Sequence, residues 1–107
     1  MESLVFDWDF SNLSKLANRD IQPEEAEQVI SNRPVDLRSE LRNGEERIAQ
    51  LGETNGGRVL IVVSTTLANG KIRVVTSWPA NERLRRYFTS LKRSGNVGRI
   101  EDQDLRE

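Results

Sequence analysis

The sequence predicts an α+β domain in which helices pack on a small antiparallel sheet of three to four strands, and three observations predict it. "RVLIVVSTT" is β-branched and apolar on both faces, as a central strand would be. It runs through "ANGK", a hairpin signal centred on Asn69-Gly70, into a second such run, "KIRVVTSW". On either side of this β region, apolar residues recur at helical spacing.

In chain order, "LVFDW" reads as a short first strand. Asp9 suits the N-cap of "FSNLSKLANRD", where Phe10, Leu13, Leu16 and Ala17 recur at helical spacing. "IQPEEAEQVI" predicts a second helix, with Pro23 at its first position, Glu24 and Glu25 complementing the dipole, and an inward stripe of Ala26, Val29 and Ile30. "SNRP" ends it. From Val35 to Asn43 the pattern is polar and irregular, which predicts a loop or at most a short edge strand. "EERIAQLGE" alternates weakly, and "NGG" separates it from the central hairpin. After Pro79, Asn81 is placed to cap a closing helix whose stripe is Leu84, Tyr87, Phe88 and Leu91. The predicted order is β-α-α-(β)-β-β-β-α, with one domain over residues 1–93 and a flexible acidic tail over residues 94–107.

Composition excludes several chemistries. The chain of 107 residues has no cysteine and no histidine. Disulfides, thiolate nucleophiles, Ser-His-Asp triads and His-ligated metals are therefore absent. "MESLVFDWDF" lacks a basic n-region, and "VLIVV" is far too short to span a bilayer. The expectation is a cytoplasmic protein with no membrane partner, no cofactor and no metal.

Net charge is −1, but it is unevenly spread. Residues 1–70 hold seven Lys/Arg against twelve Asp/Glu, residues 71–99 hold eight against Glu82 alone, and the last eight hold Arg106 against four acids. Local potential decides whether a polyanion is attracted, so the block from Lys71 onward is the expected electropositive region. Arg83, Arg85 and Arg86 crowd the closing helix, and Trp78 and Tyr87 are interleaved with them. Planar guanidinium forks suit phosphate, and aromatic rings can stack unpaired bases. The alternative is a solvated helix face whose long stems cover apolar neighbours. The acids lack metal-ligand spacing, and "NGGR" lacks the spacing of a phosphate-binding glycine loop.

Along residues 4 to 90 the chain resembles the BrnT-type toxins of type II toxin–antitoxin systems, which are RelE-like ribonucleases held by an antitoxin. "FDWD", Asn12 and Lys15, "EEA" at 24–26, "GEER" at 44–47, Gly52, "GRVLIVV" with Arg58, "KIRVVTS", Ala80, and Glu82 to Tyr87 carry the resemblance. Two stretches depart from it. Asn18-Arg19-Asp20 stands where the family commonly has Lys-His-Gly, and Thr76-Ser77-Trp78-Pro79 where it has Ser-Ala-Arg-Lys. The resemblance implies a small curved sheet flanked by helices, RNA on its basic side, and a small antitoxin, ribbon-helix-helix in type, through which oligomers form. It implies a metal-independent endoribonuclease; the alternative is a binding module that keeps the fold without the activity. The catalytic set then expected is Arg58, Arg73, Arg83 and Tyr87, with Lys15, Arg47, Arg85, Arg86 and Trp78 contacting RNA. Proton transfer falls to Tyr87, Lys15 or a carboxylate.

Overall fold

The computed structural model describes residues 4–94. Two helices, α1 (Phe10–Ala17) and α2 (Pro23–Ser31), precede four strands, β1 (Val35–Arg42), β2 (Glu45–Glu53), β3 (Val59–Thr66) and β4 (Ile72–Pro79); α3 (Glu82–Ser94) closes the described chain. The strands form one antiparallel sheet in the order β1-β2-β3-β4. The α+β class and the four-stranded limit of the expectation hold, but the element order does not begin with a strand. "LVFDW" makes only a single parallel bridge, Phe6 to Ile72. Ile72 N–H donates to Val5 O and Asp7 N–H to Ile72 O, both at 2.8 Å, so this stretch only covers the outer edge of β4. The expected tail, from residue 95 onward, lies outside the described residues.

The optional strand of the predicted order is formed. The segment expected as a loop or a short edge strand is an eight-residue edge strand, β1, paired with β2 through a two-residue turn at Asn43 and Gly44. Both turn residues have positive φ, 54° and 77°, which matches the twist of the flanking strands. The Asn69-Gly70 hairpin is a different turn. Only Gly70 has positive φ there, and Leu67 N–H donates to Lys71 O, giving a three-residue loop. Edge strands need only one apolar contact face and tolerate charge, so β1's polarity reflects its position and not a lack of structure.

Alternation along β3 sends Leu60 and Val62 to one face and Ile61 and Val63 to the other. On the first face they meet Val74, Leu16, Ile21, Ala26 and Val29 of the α1–α2 region, with Trp8 packed alongside. On the second face, Leu51, Ile61 and Trp78 meet Ala80, Leu84 and Phe88. The sheet is therefore the middle of three layers. Gly52 allows α2 to lie close: a Cβ there would sit 3.0 Å from Val29 Cγ1. The expected caps form, with Asp9 Oδ1 accepting from Asn12 N–H and Asn81 Oδ1 from Leu84 N–H, both at 2.8 Å. Among the described residues no helix is long and apolar enough to cross a membrane.

Helix α1 does not bury the stripe its spacing suggests. Leu16 is fully buried, but Phe10 is 84 % exposed and the polar Asn12 is inside. A bulge in β4 faces this helix. Ser64 pairs with Val74 and Val63 with Thr76, so Val75 is unpaired in the ladder. Asn12 Nδ2 donates to the Val75 carbonyl at 3.3 Å, so the buried polar residue is satisfied there. The C-terminus of α1 closes with Ile21 N–H on Leu16 O and Asp20 N–H on Ala17 O, both at 3.0 Å, with Asp20 at φ 57°. That left-handed turn fixes where Arg19 emerges.

Candidate nucleic-acid interface

Helix α3 covers only part of its face of the sheet. Beside it lies an open groove of about 480 Å³ lined by ten residues. Val63, Val75, Thr76 and Trp78 line its floor side. One wall is α1 with the turn that follows it, which supply Lys15 and Arg19; the other is β1 with β2, which supplies Arg38, Glu40, Arg42 and Arg47. Among the described residues, five cations thus meet one acid. A smaller hollow of about 40 Å³ adjoins it, where Arg38, Glu40 and Arg47 converge on Trp78.

Strand geometry explains the second wall. Arg38, Glu40 and Arg42 alternate along β1 and therefore point to one face. The register sets Glu40 opposite Arg47 and Arg42 opposite Glu45. Several of the groove cations are held by neighbours. Arg19 Nη1 donates to Thr76 Oγ1 at 3.0 Å. Arg47 Nε donates to Glu45 Oε1 at 3.2 Å, and Arg73 Nη2 reaches both oxygens of the same carboxylate at 2.9 Å. The Arg47–Glu45–Arg73 chain fixes the Arg47 guanidinium without consuming all of its donors. Lys15 and Arg38 are exposed in the groove. Trp78 is 8 % exposed, its indole edged by both hollows, so it packs as groove floor and not as an open stacking platform.

The expected site residues are dispersed by the fold. Lys15, Arg47 and Trp78 come together in the groove, and Arg73 stands one carboxylate behind it. Arg58 does not join them. Its Nη1 donates to Asp20 O at 2.7 Å and to Glu25 Oε1 at 3.2 Å, tying β3 to the α1–α2 region on the other side of the sheet. Arg83, Arg85 and Arg86 are exposed on α3, and none lines the groove. Arg85 Nη1 donates to Ala80 O at 2.7 Å, and Arg86 Nη2 pairs with Glu82 one turn away at 2.6 Å. Tyr87 packs partly buried against the α3-side core.

Three lining residues, Arg38, Glu40 and Arg42, lay in the segment expected as a loop or a short edge strand. A fourth, Arg19, was visible only as a departure from a family pattern. The signal for the first three was present: "LRSELRNG" places charges at every second position and ends in an Asn-Gly turn pair.

Residues 8–83 match the family model described as ribonuclease toxin, BrnT, of type II toxin-antitoxin system. No curated protein matches the chain.

Proposed function

The chain belongs to the BrnT family of ribonuclease toxins of type II toxin–antitoxin systems, and we propose that it binds RNA in the groove between α1 and the β1–β2 hairpin and cleaves it there. The observation that carries this reading is the convergence of Lys15, Arg19, Arg38, Arg42 and Arg47 on one hollow in a chain whose net charge is −1. The matched span supports it as well. It takes in every groove residue, from Lys15 to Trp78, and stops at Arg83 in the first turn of α3.

Cleavage in such a site uses the substrate's own 2′-hydroxyl as nucleophile. The protein must hold the phosphate in line and stabilise the extra charge on the phosphorane. Arg47, oriented by Glu45, and Arg19, oriented by Thr76, suit that work because their forks are fixed before substrate arrives. Lys15, Arg38 and Arg42 extend the grip to neighbouring phosphates. Membership in a type II system implies an antitoxin partner. We take that partner to be a ribbon-helix-helix protein acting in the cytoplasm, assembling oligomers over a RelE-like fold.

The test is expression of the chain in several hosts, read by growth and by RNA integrity, beside Arg19→Ala and Arg47→Ala. Growth arrest with fragmented RNA, relieved by either substitution, is expected. Normal growth with intact RNA in every host would sink the nuclease reading.

That outcome would favour a second reading, a non-catalytic module that binds RNA and antitoxin. The absence of histidine favours it, with Arg19 standing where the resemblance places one. Both readings expect purified protein to bind single-stranded RNA with a steep salt dependence, a log–log slope of about −3 for four to five phosphates.

A further inference from the structure

Taking the groove as the cleavage site, we propose that Glu40 is the general base that removes the proton from the attacking 2′-hydroxyl. Transesterification of RNA requires a proton acceptor, and this chain has neither histidine nor cysteine to provide one. The groove itself narrows the choice. Among the described residues its lining holds four arginines, whose guanidinium groups only donate, one lysine, and a single carboxylate, that of Glu40.

Position separates Glu40 from its acidic neighbours. Glu45 points to the same face, but both of its oxygens are engaged by Arg73 at 2.9 Å and one also by Arg47. It does not line the groove. Glu46, adjacent to Glu45 on the strand, falls on the other face. The Glu40 side chain is 45 % exposed, and its ion pair to Arg42 Nε is long at 3.8 Å. Its carboxylate therefore retains lone pairs for a substrate hydroxyl, within a ring of guanidinium groups that would hold the adjacent phosphate. Tyr87, the rival proton carrier on sequence grounds, packs against the other core and does not reach the lining.

Glu40 takes the 2′-hydroxyl proton while O2′ bonds to phosphorus. The P–O5′ bond breaks, and the leaving 5′-oxygen takes a proton from the Lys15 ammonium on the opposite wall. The products are a 2′,3′-cyclic phosphate and a 5′-hydroxyl, and solvent returns one proton to Lys15 and removes one from Glu40. Base and acid on facing walls suit an in-line displacement, in which attacking and leaving oxygens lie on opposite sides of phosphorus.

A carboxylate among arginines has an ordinary alternative role, balancing charge, and the two roles predict opposite signs. Removing a charge-balancing acid would strengthen RNA binding and leave cleavage equal or faster. Removing the base would strengthen or preserve binding and abolish cleavage. The experiment compares wild type, Glu40→Gln and Glu40→Asp for cleavage of a single-stranded RNA across pH. It also measures their affinity for the same RNA with 2′-O-methyl groups, which binds but lacks the nucleophile. Glu40→Gln is expected to cleave at least about 100-fold more slowly, bind the methylated RNA no more weakly, and lose the acid-side fall of the pH–rate profile, with Glu40→Asp recovering part of the rate. Cleavage by Glu40→Gln at the wild-type rate or above would overturn the assignment while leaving the groove as the site. Parallel loss of binding and cleavage would overturn it by making Glu40 an organiser of the arginines. A wild-type protein that binds but never cuts would remove this proposal together with the nuclease reading.

Discussion

Helix α3 and the groove are both rich in cations, but they use them differently. On α3 the charges are close in sequence and engaged by neighbours: Arg85 by the Ala80 carbonyl, Arg86 by Glu82, and Lys92 by Glu53 at the end of β2, with its ammonium over the Phe88 ring. Under them the helix buries Leu84 and Phe88, and this packing is its main contribution. In the groove the cations come from α1 and the turn that follows it, β1 and β2, up to 32 positions apart between Lys15 and Arg47, and they face a common open space. Density of charge along a chain is therefore a poor guide to density of charge in space. A helix spreads neighbouring side chains around its axis by about 100° each, whereas strand register and a helix end bring distant ones onto one surface.

Substitutions can break or sharpen this contrast. The largest effect on folding is expected from Phe88→Ala, which should lower the unfolding free energy by about 3–5 kcal/mol, measured by denaturant titration. Arg38→Ala in the groove should change it by no more than about 0.5 kcal/mol. If the two were equal, α3 would not be the packing element described here. On activity the order reverses. Arg47→Ala is expected to slow RNA cleavage by about 10²–10³-fold at unchanged secondary structure, read by a fluorescent-RNA assay. Arg58→Ala should act on stability alone, by about 1–2 kcal/mol, since its contacts lie at Asp20 and Glu25. The smallest effect is expected from Arg86→Ala. Its pair with Glu82 is exposed on both sides, so stability and cleavage should each move by no more than about twofold. A hundredfold loss of cleavage in that variant would relocate the site to α3 and undo the contrast.

Legibility in the sequence followed the strength of local patterns. The central strands, the Asn81 cap and the Leu84–Phe88 stripe were readable because burial on one or both faces imposes periodicity on the residues themselves. Strand β1 was less so, because an edge strand has too little buried surface to impose it: only Val35 and Leu37 contribute to the core. Lys15, Arg47 and Trp78 are legible as candidates from their chemistry and do meet in the groove. Arg58 and the α3 arginines are candidates on the same chemical grounds and do not. Guanidinium chemistry is identical in all of them, and only the partners differ.

By itself the sequence determined the α+β class, the two strands of the β3–β4 hairpin, the helix caps and the exclusion of histidine and cysteine chemistry. These follow from side-chain type and short-range spacing, which act before the chain is compact. The tertiary structure alone decided where charge accumulates. In the fold Asn12 of α1 turns inward to the Val75 carbonyl at the β4 bulge while Lys15 and Arg19 line the groove, and the Asn43-Gly44 turn brings Arg38, Glu40 and Arg42 beside Arg47. Both are long-range consequences of hydrogen-bond register, and register is a property of paired strands that no single stretch of sequence carries.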